Sequence, residues 1–89
     1  MPTHHITVTG KVQGVFFRAT AKKMALTIGL VGWVKNTANE AVEIMATGDL
    51  AALEAFEKWC SIGPPQAMVE NVSTSLVSTE DFDSFRILK

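Results

Sequence analysis

The sequence has little cysteine, tyrosine or excess charge. Its 89 residues include one cysteine, Cys60, and no tyrosine, and a single cysteine excludes an internal disulfide. Eight Lys and Arg against nine Asp and Glu give a formal net charge of -1, so the long-range field typical of nucleic-acid-binding proteins is missing. Because the net charge is so small, any site that binds an anion must rely on a few residues close to the anion. No apolar run reaches the length of a membrane span.

Composition predicts one compact domain over residues 1–89. Hydrophobic residues make up 47% of the chain, which is typical of a globular protein and excludes a disordered one. A chain of this length has room for one core. The first residues lack the basic and then apolar order of a secretory signal. We therefore expect a cytoplasmic monomer that does not contact a membrane.

Strand and helix periodicities alternate along the chain. Alternating, β-branched stretches predict strands at 4–9, 30–36, 41–47, 69–77 and 82–88. Helical spacing predicts one helix from Phe17 to a stop at Gly29, and a second that Asp49 caps and Gly63 ends. The order β-α-β-β-α-β, with one strand split or added, matches the ferredoxin-like split βαβ unit. This is an α+β fold whose antiparallel sheet carries both helices on one face.

The stretch GKVQGVFFR, residues 10–18, joins the first strand to the first helix. Gly10 and Gly14 accept positive φ angles, which let successive backbone N–H groups converge on an anion. The stretch has no Ser, Thr, Asp or Asn to cap the helix, so the first N–H groups stay available to a ligand oxygen. Arg18 in the first turn opposes the helix dipole by up to about 1 kcal/mol. Together these features favour an anion site.

Plainer interpretations of this stretch remain open. An ordinary strand-to-helix turn with Arg18 in water explains the same residues equally well, since short glycine motifs arise by chance. Thr20 can cap a helix that begins later. A Walker A loop is excluded because the lysine and the Ser or Thr that complete it are missing.

A second stretch, GWVKN at residues 32–36, follows about one helix later. Together the two stretches resemble the acylphosphatase motifs Gly-x-Val-Gln-Gly-Val-x-Phe-Arg and Gly-Trp-Val-Arg/Lys-Asn, and the resemblance extends along nearly the whole chain. It implies the ferredoxin-like fold and hydrolysis of acyl phosphates to a carboxylate and inorganic phosphate. It implies no metal and no other cofactor.

The resemblance also implies roles for particular residues. Arg18 and Asn36 match the two catalytic positions, the first binding phosphate and the second orienting the attacking water. The residues expected to bind phosphate are Gln13, Gly14, Val15, Phe16, Phe17 and Arg18. A planar guanidinium binds two phosphate oxygens at once, and backbone donors hold the third. Without the family pattern, Asn36 would be interpreted as the start of a hairpin turn, where asparagine is common.

The turn after Asn36 departs from the family pattern. Where the family has glycine, this chain has Glu40 within the segment 37–41. Asn39 is the residue expected to take the left-handed conformation, because asparagine tolerates it better than most residues. The direction in which the Asn36 side chain points depends on the conformation of this turn.

Two other functions compete with hydrolysis. One is a non-catalytic phosphate-binding module that keeps the phosphate loop without turnover, and a turnover assay with acetyl or carbamoyl phosphate separates the two. The other is RNA binding, because RNA-recognition motifs share the β-α-β-β-α-β order. The first and third strands lack the aromatic residues that stack on bases, and there is no basic excess. We expect no nucleic-acid partner.

Four further residues are expected to have structural roles. His4 and His5 alternate along a strand and point to opposite faces, which excludes a shared metal without further ligands. Both are expected at the surface. Cys60 lies on the apolar stripe of the second helix and is expected in the core. Trp33 and Trp59 are expected to have packing roles.

Overall fold

Five strands and two helices make up the computed structural model, which describes residues 1–88. In chain order they are β1 (Thr3–Lys11), α1 (Phe17–Thr27), β2 (Val31–Asn36), β3 (Val42–Thr47), α2 (Leu50–Cys60), β4 (Met68–Val77) and β5 (Phe85–Ile87). This order confirms the predicted β-α-β-β-α-β fold with one strand added. No helix in residues 1–88 has the length and apolar character needed to span a membrane.

The strands form one sheet in the order β4-β1-β3-β2-β5. Three of its four pairings are antiparallel, but β2 and β5 run parallel. The sheet is therefore mixed, whereas the sequence predicted an antiparallel one. The difference arises because β5 follows the long edge strand β4 and crosses to the opposite edge of the sheet, where it joins β2 in the same direction.

Both helices lie against one face of the sheet, as expected. α1 contacts β2 and β5, while α2 contacts β1 and β4. Between the layers, side chains of the strands meet the apolar stripes of the helices, and the largest buried ones include Phe17, Phe56, Phe85, Ile6 and Ile44. Burying such a side chain contributes about 1.5–3 kcal/mol. This core fixes the first turn of α1 through Phe17.

Element boundaries differ most at the last strand. Residues 82–88 were predicted to be extended, but only Phe85–Ile87 pair with β2. α1 ends just before Gly29, which has a φ of 84° and confirms the predicted stop. Asp49 occupies the predicted N-cap of α2, although its side chain makes no capping hydrogen bond.

The two histidines are partly buried, and the expectation that both lie at the surface is wrong. They do point to opposite faces of β1. His4 Nδ1 lies 2.5 Å from Glu57 Oε2 on α2, and His5 Nε2 lies 2.6 Å from Glu43 Oε2 on β3. The hydrogen bond from His5 lowers the pKa of Glu43 below its usual value, and the charge of Lys35 acts in the same direction against the effect of burial.

Cys60 and the tryptophans occupy packing positions. Cys60 is buried in the core, and burial raises the pKa of its thiol, which makes the thiol a poor nucleophile. The ring of Trp59 lies 5.2 Å from that of Phe17. Trp33 lies on the sheet face opposite the helices, where Lys35 Nζ is 5.2 Å from its ring centroid. This is the geometry of a cation–π contact.

Candidate active site

Three strands of the sheet have their carboxyl ends on the same side of the molecule. β1 and β2 both run antiparallel to β3, and β5 runs parallel to β2. β1, β2 and β5 therefore point the same way, so their carboxyl ends meet. The loop after β1, the last residue of β2 and the last residue of β5 line one pocket there. This topology brings Arg18, Asn36 and Ile87 together.

The loop between β1 and α1 turns sharply at two positions. Gly14 has a φ of 73°, a conformation that glycine adopts freely. Phe16, the N-cap of α1, has a φ of 66° and makes no side-chain capping hydrogen bond. α1 begins at Phe17, so Thr20 is not its cap, and the Thr20 hydroxyl instead donates to the Phe16 carbonyl at 2.8 Å.

The loop leaves a run of backbone donors unpaired. Within residues 1–88, none of the backbone N–H groups of residues 14–19 donates to another protein group. Arg18, in the first turn of α1, makes no ion pair or side-chain hydrogen bond with the described residues. Unpaired donors at a helix N-terminus and a free guanidinium form an electropositive site.

The side chain of Gln13 forms hydrogen bonds with the β2–β3 hairpin. Its side-chain Nε2 donates to the Thr37 carbonyl at 2.9 Å and to the Ala41 carbonyl at 2.8 Å. Neither Gln13 nor Val15 lines the pocket, and Val15 packs in the core. The side chain of Gln13 thus ties the loop between β1 and α1 to the β2–β3 hairpin that carries Asn36.

The hairpin turn places Glu40, and not Asn39, in the left-handed conformation. Glu40 has a φ of 67°, so the expectation for Asn39 is wrong. Asn39 is held by its side chain, because the Thr37 hydroxyl donates to Asn39 Oδ1 at 2.5 Å. The Ala41 N–H donates to the same hydroxyl at 3.1 Å. These bonds close the turn and leave the unfavourable φ to residue 40.

Glu40→Gly is expected to stabilise the protein. A non-glycine residue in the left-handed region costs about 1–2 kcal/mol, and the entropy of glycine offsets about 0.5–1 kcal/mol of the relief. A net gain of about 0.5–1 kcal/mol corresponds to a rise in Tm of roughly 2–8 °C for a domain of this size. Thermal unfolding followed by circular dichroism in phosphate-free buffer measures it.

Asn39→Gly is the matched control. This change removes the side chain that accepts the Thr37 hydrogen bond at a position where φ is not positive, so Tm should fall. A Glu40→Gly protein with an unchanged or lower Tm would show that residue 40 carries no backbone strain.

Asn36 ends β2 and presents an unpaired acceptor. Its Oδ1 atom is buried and accepts no hydrogen bond from residues 1–88. A buried acceptor without a donor costs about 1–3 kcal/mol. Asn36 lines the pocket, where a donor such as a water molecule could satisfy this oxygen.

The pocket at the carboxyl ends of β1, β2 and β5 has a volume of ≈ 330 Å³. It is lined by Val12, Gly14, Phe16, Phe17, Arg18, Ala19, Asn36 and Ile87. Of the residues predicted for the site, Arg18, Asn36, Gly14, Phe16 and Phe17 lie together here. Over the described part of the chain, no group of three His, Cys, Asp or Glu side chains is arranged to hold a metal ion.

Comparison with known proteins decides the family. The acylphosphatase family model matches residues 4–87. The chain belongs to the acylphosphatase family. It is therefore a hydrolase that cleaves the carboxyl-phosphate bond of acyl phosphates.

Individual acylphosphatases are similar over most of their length. An acylphosphatase of Coxiella burnetii, strain RSA 493, is 45% identical over 83 residues, which cover 93% of this chain and 87% of the relative. A solved Coxiella burnetii acylphosphatase superposes with a TM-score of 0.95 at 42% identity, covering 98% of this chain and 92% of that one. Bacillus subtilis acylphosphatase gives a TM-score of 0.97 at 37% identity, with 100% of both chains covered.

Three pocket residues of this acylphosphatase were missed from the sequence. Val12 and Ala19 flank the predicted loop, and extending that loop by one residue at the helix end would have included Ala19. Ile87 comes from β5, about fifty residues beyond Asn36 in the chain. No local motif marks Ile87, because it reaches the pocket only through the parallel pairing of β5 with β2.

Proposed function

We propose that Arg18 and the backbone N–H groups of residues 14–18 bind the phosphate group of the acyl phosphate, and that Asn36 orients the attacking water. The observation that carries this proposal is the placement of Arg18 and Asn36 in one pocket. They lie 18 positions apart in the sequence, and the parallel course of β1 and β2 brings them together. The unpaired donors of the loop supply the remaining contacts with the anion.

The binding step is electrostatic. Two phosphate oxygens accept hydrogen bonds from the guanidinium of Arg18 in a bidentate arrangement, and loop N–H groups donate to the third. These donors are in place before the substrate arrives, so they stabilise charge on the equatorial oxygens without reorganising. The macrodipole of α1 acts in the same direction.

The chemical step is attack of water in line with the leaving group. Asn36 Oδ1 accepts a hydrogen bond from the water, whose oxygen forms a bond to phosphorus while the bond from phosphorus to the acyl oxygen breaks. The electron pair of that bond leaves with the carboxylate. The water's proton passes to a phosphate oxygen, giving inorganic phosphate. A carboxylate is a stable leaving group, so positioning and charge stabilisation are the main requirements.

The setting of this activity is also proposed. We infer that the chain works as a single-domain, cytoplasmic monomer without a metal or other cofactor. A lone, buried thiol is suited to a reducing compartment. No nucleic-acid role is proposed, because Lys35, the basic side chain beside Trp33, lies 3.5 Å from the carboxylate of Glu43. Its charge is thereby largely compensated on the open face of the sheet.

Acetyl phosphate hydrolysis in the presence of EDTA tests the proposal. We expect turnover at the same rate with and without the chelator, because Arg18 and the loop donors supply the charge that a metal would otherwise provide. Release of inorganic phosphate measures it. Loss of activity in EDTA that a divalent cation restores would overturn the metal-independent mechanism. Phosphate binding without any turnover would favour the non-catalytic module.

A further inference from the structure

We propose that Gln13 is a positioning residue for hydrolysis, which acts by holding Asn36 at a fixed distance from the bound phosphate group. This inference rests on the proposed roles of Arg18 and Asn36. The resemblance to the family places Gln13 among the residues that bind phosphate, but its side-chain amide is engaged elsewhere. Its two hydrogen bonds join the part of the site that binds phosphate to the part that orients water.

Both hydrogen-bond donors of the Gln13 amide are used on the hairpin. An amide nitrogen carries two N–H groups, and Nε2 donates to the carbonyls of Thr37 and Ala41 at 2.9 and 2.8 Å. Thr37 directly follows Asn36 in the chain. Ala41 directly precedes Val42, which pairs with Asn36 across the hairpin. The amide therefore holds both sides of the hairpin at the position next to Asn36.

Within residues 1–88, no other hydrogen bond joins residues 12–16 of the loop to residues 36–41 of the hairpin. β1 and β2 are not neighbours in the sheet, because β3 lies between them. The pairing of β1 with β3 ends at Val8 and Val42, before the loop begins. The Gln13 amide is therefore placed to set the distance between the bound phosphate group and Asn36.

The reaction is sensitive to this distance. In-line attack needs the water oxygen about 3–3.5 Å from phosphorus, and a displacement of about 1 Å can lower the rate about 10²-fold. The phosphate group itself is held by Arg18 and the backbone N–H groups of the loop. Loss of the two bonds to the hairpin should therefore lower kcat through the position of Asn36 and leave phosphate binding unchanged.

Gln13→Met removes both donors and keeps a side chain of similar length. We expect kcat for acetyl phosphate to fall by about 10²-fold, while KM and the rise in Tm caused by inorganic phosphate stay close to their wild-type values. The hairpin should remain folded, because the Thr37 carbonyl still accepts from the Glu40 N–H at 3.3 Å and the Ala41 carbonyl from the Thr37 N–H at 2.9 Å. Gln13→Asn, whose amide is one methylene shorter, should give the same loss and replaces Gln13→Met if that variant does not fold.

The Asn36→Ala background separates positioning from a general structural effect. Substitutions of residues that act as a unit are not additive. If Gln13 acts through Asn36, Gln13→Met should leave kcat almost unchanged once Asn36 has been replaced by alanine. A further loss in the double variant as large as that of Gln13→Met alone would mean that Gln13 acts independently of Asn36, which overturns the proposal.

The chain offers a matched control in Gln66. This is the other glutamine of the sequence, and it is exposed in the connection between α2 and β4. Gln66→Met makes the same chemical change away from the pocket and should leave kcat and KM unchanged. A loss of kcat equal to that of Gln13→Met would overturn the positioning role, because the effect would then be general.

The remaining outcomes separate this inference from the proposed function. A wild-type kcat in Gln13→Met, together with the expected loss in Asn36→Ala, would overturn the positioning role and leave the proposed function intact. Loss of phosphate binding along with kcat in Gln13→Met would mean that Gln13 shapes the loop that binds phosphate, which also overturns it. A wild-type kcat in Asn36→Ala would overturn the proposed function itself.

Discussion

Arg18→Ala is expected to lower kcat for acetyl phosphate by about 10³- to 10⁵-fold, the range found for arginines that stabilise phosphoryl-transfer transition states. Arg18 is the charged residue among those that line the pocket, and within residues 1–88 it is not neutralised by a carboxylate. We propose that its guanidinium stabilises the charge that develops on the phosphate oxygens. Steady-state phosphate release measures the loss. Arg18→Lys retains the charge but loses the planar pair of donors, so it should recover only part of the rate.

The same variant should lose stabilisation by phosphate. Inorganic phosphate at about 100 times its Kd stabilises a protein by roughly 2.7 kcal/mol through mass action, which thermal unfolding of the wild type should show as a higher Tm. Arg18→Ala should abolish most of this increase. In phosphate-free buffer the variant should be at least as stable as the wild type, because the unfavourable contact with the helix dipole is gone and no ion pair is lost.

Two results would contradict the assignment of Arg18. A variant stabilised by phosphate to the wild-type extent would mean that the anion binds elsewhere. A variant several kcal/mol less stable than the wild type without phosphate would mean that Arg18 is a structural residue.

Asn36→Ala is expected to lower kcat by about 10²- to 10³-fold, the loss found when one preorganised hydrogen-bonding group is removed from an active site. Its amide is proposed to contact the water and not the phosphate. KM for acetyl phosphate and stabilisation by inorganic phosphate should therefore stay close to their wild-type values. Rate measurements together with a phosphate titration of Tm separate these two effects.

Lys35→Ala is the control for Asn36. Lys35 precedes Asn36 on β2, but its side chain lies over Trp33 and beside Glu43 on the open face of the sheet. This variant should retain the wild-type kcat. If Asn36→Ala also kept the wild-type kcat, the water-orienting role would be wrong. If it lost phosphate binding as well, the residue would belong to the phosphate site.

Much of the fold could be predicted from local patterns. Both helices begin and end within a residue or two of the predicted limits, because Phe17 starts an apolar stripe at helical spacing and Gly29 stops it. The β2–β3 hairpin follows equally well from two alternating stretches joined by a short turn. The predicted bounds of the last strand were the least accurate. The length of this strand depends on how many residues of β2 can pair with it, and the sequence of the strand does not show that number.

The turn after Asn36 shows where residue preferences are insufficient. Asparagine tolerates a positive φ better than glutamate, yet Glu40 takes it. The side-chain hydrogen bond from the Thr37 hydroxyl to Asn39 and the two bonds from Gln13 set the course of the chain there. Hydrogen bonds within the turn and from Gln13 therefore outweigh the preference of one residue.

The sequence by itself determined the loop, the uncapped helix start and the two motifs, because each depends on residues close together in the chain. Only the tertiary structure decided which of these residues share a pocket. Strand direction places the carboxyl ends of β1, β2 and β5 side by side. Arg18, Asn36 and Ile87 therefore line the same pocket. Pairing between distant strands depends on the burial of a common core, which no single stretch of sequence encodes.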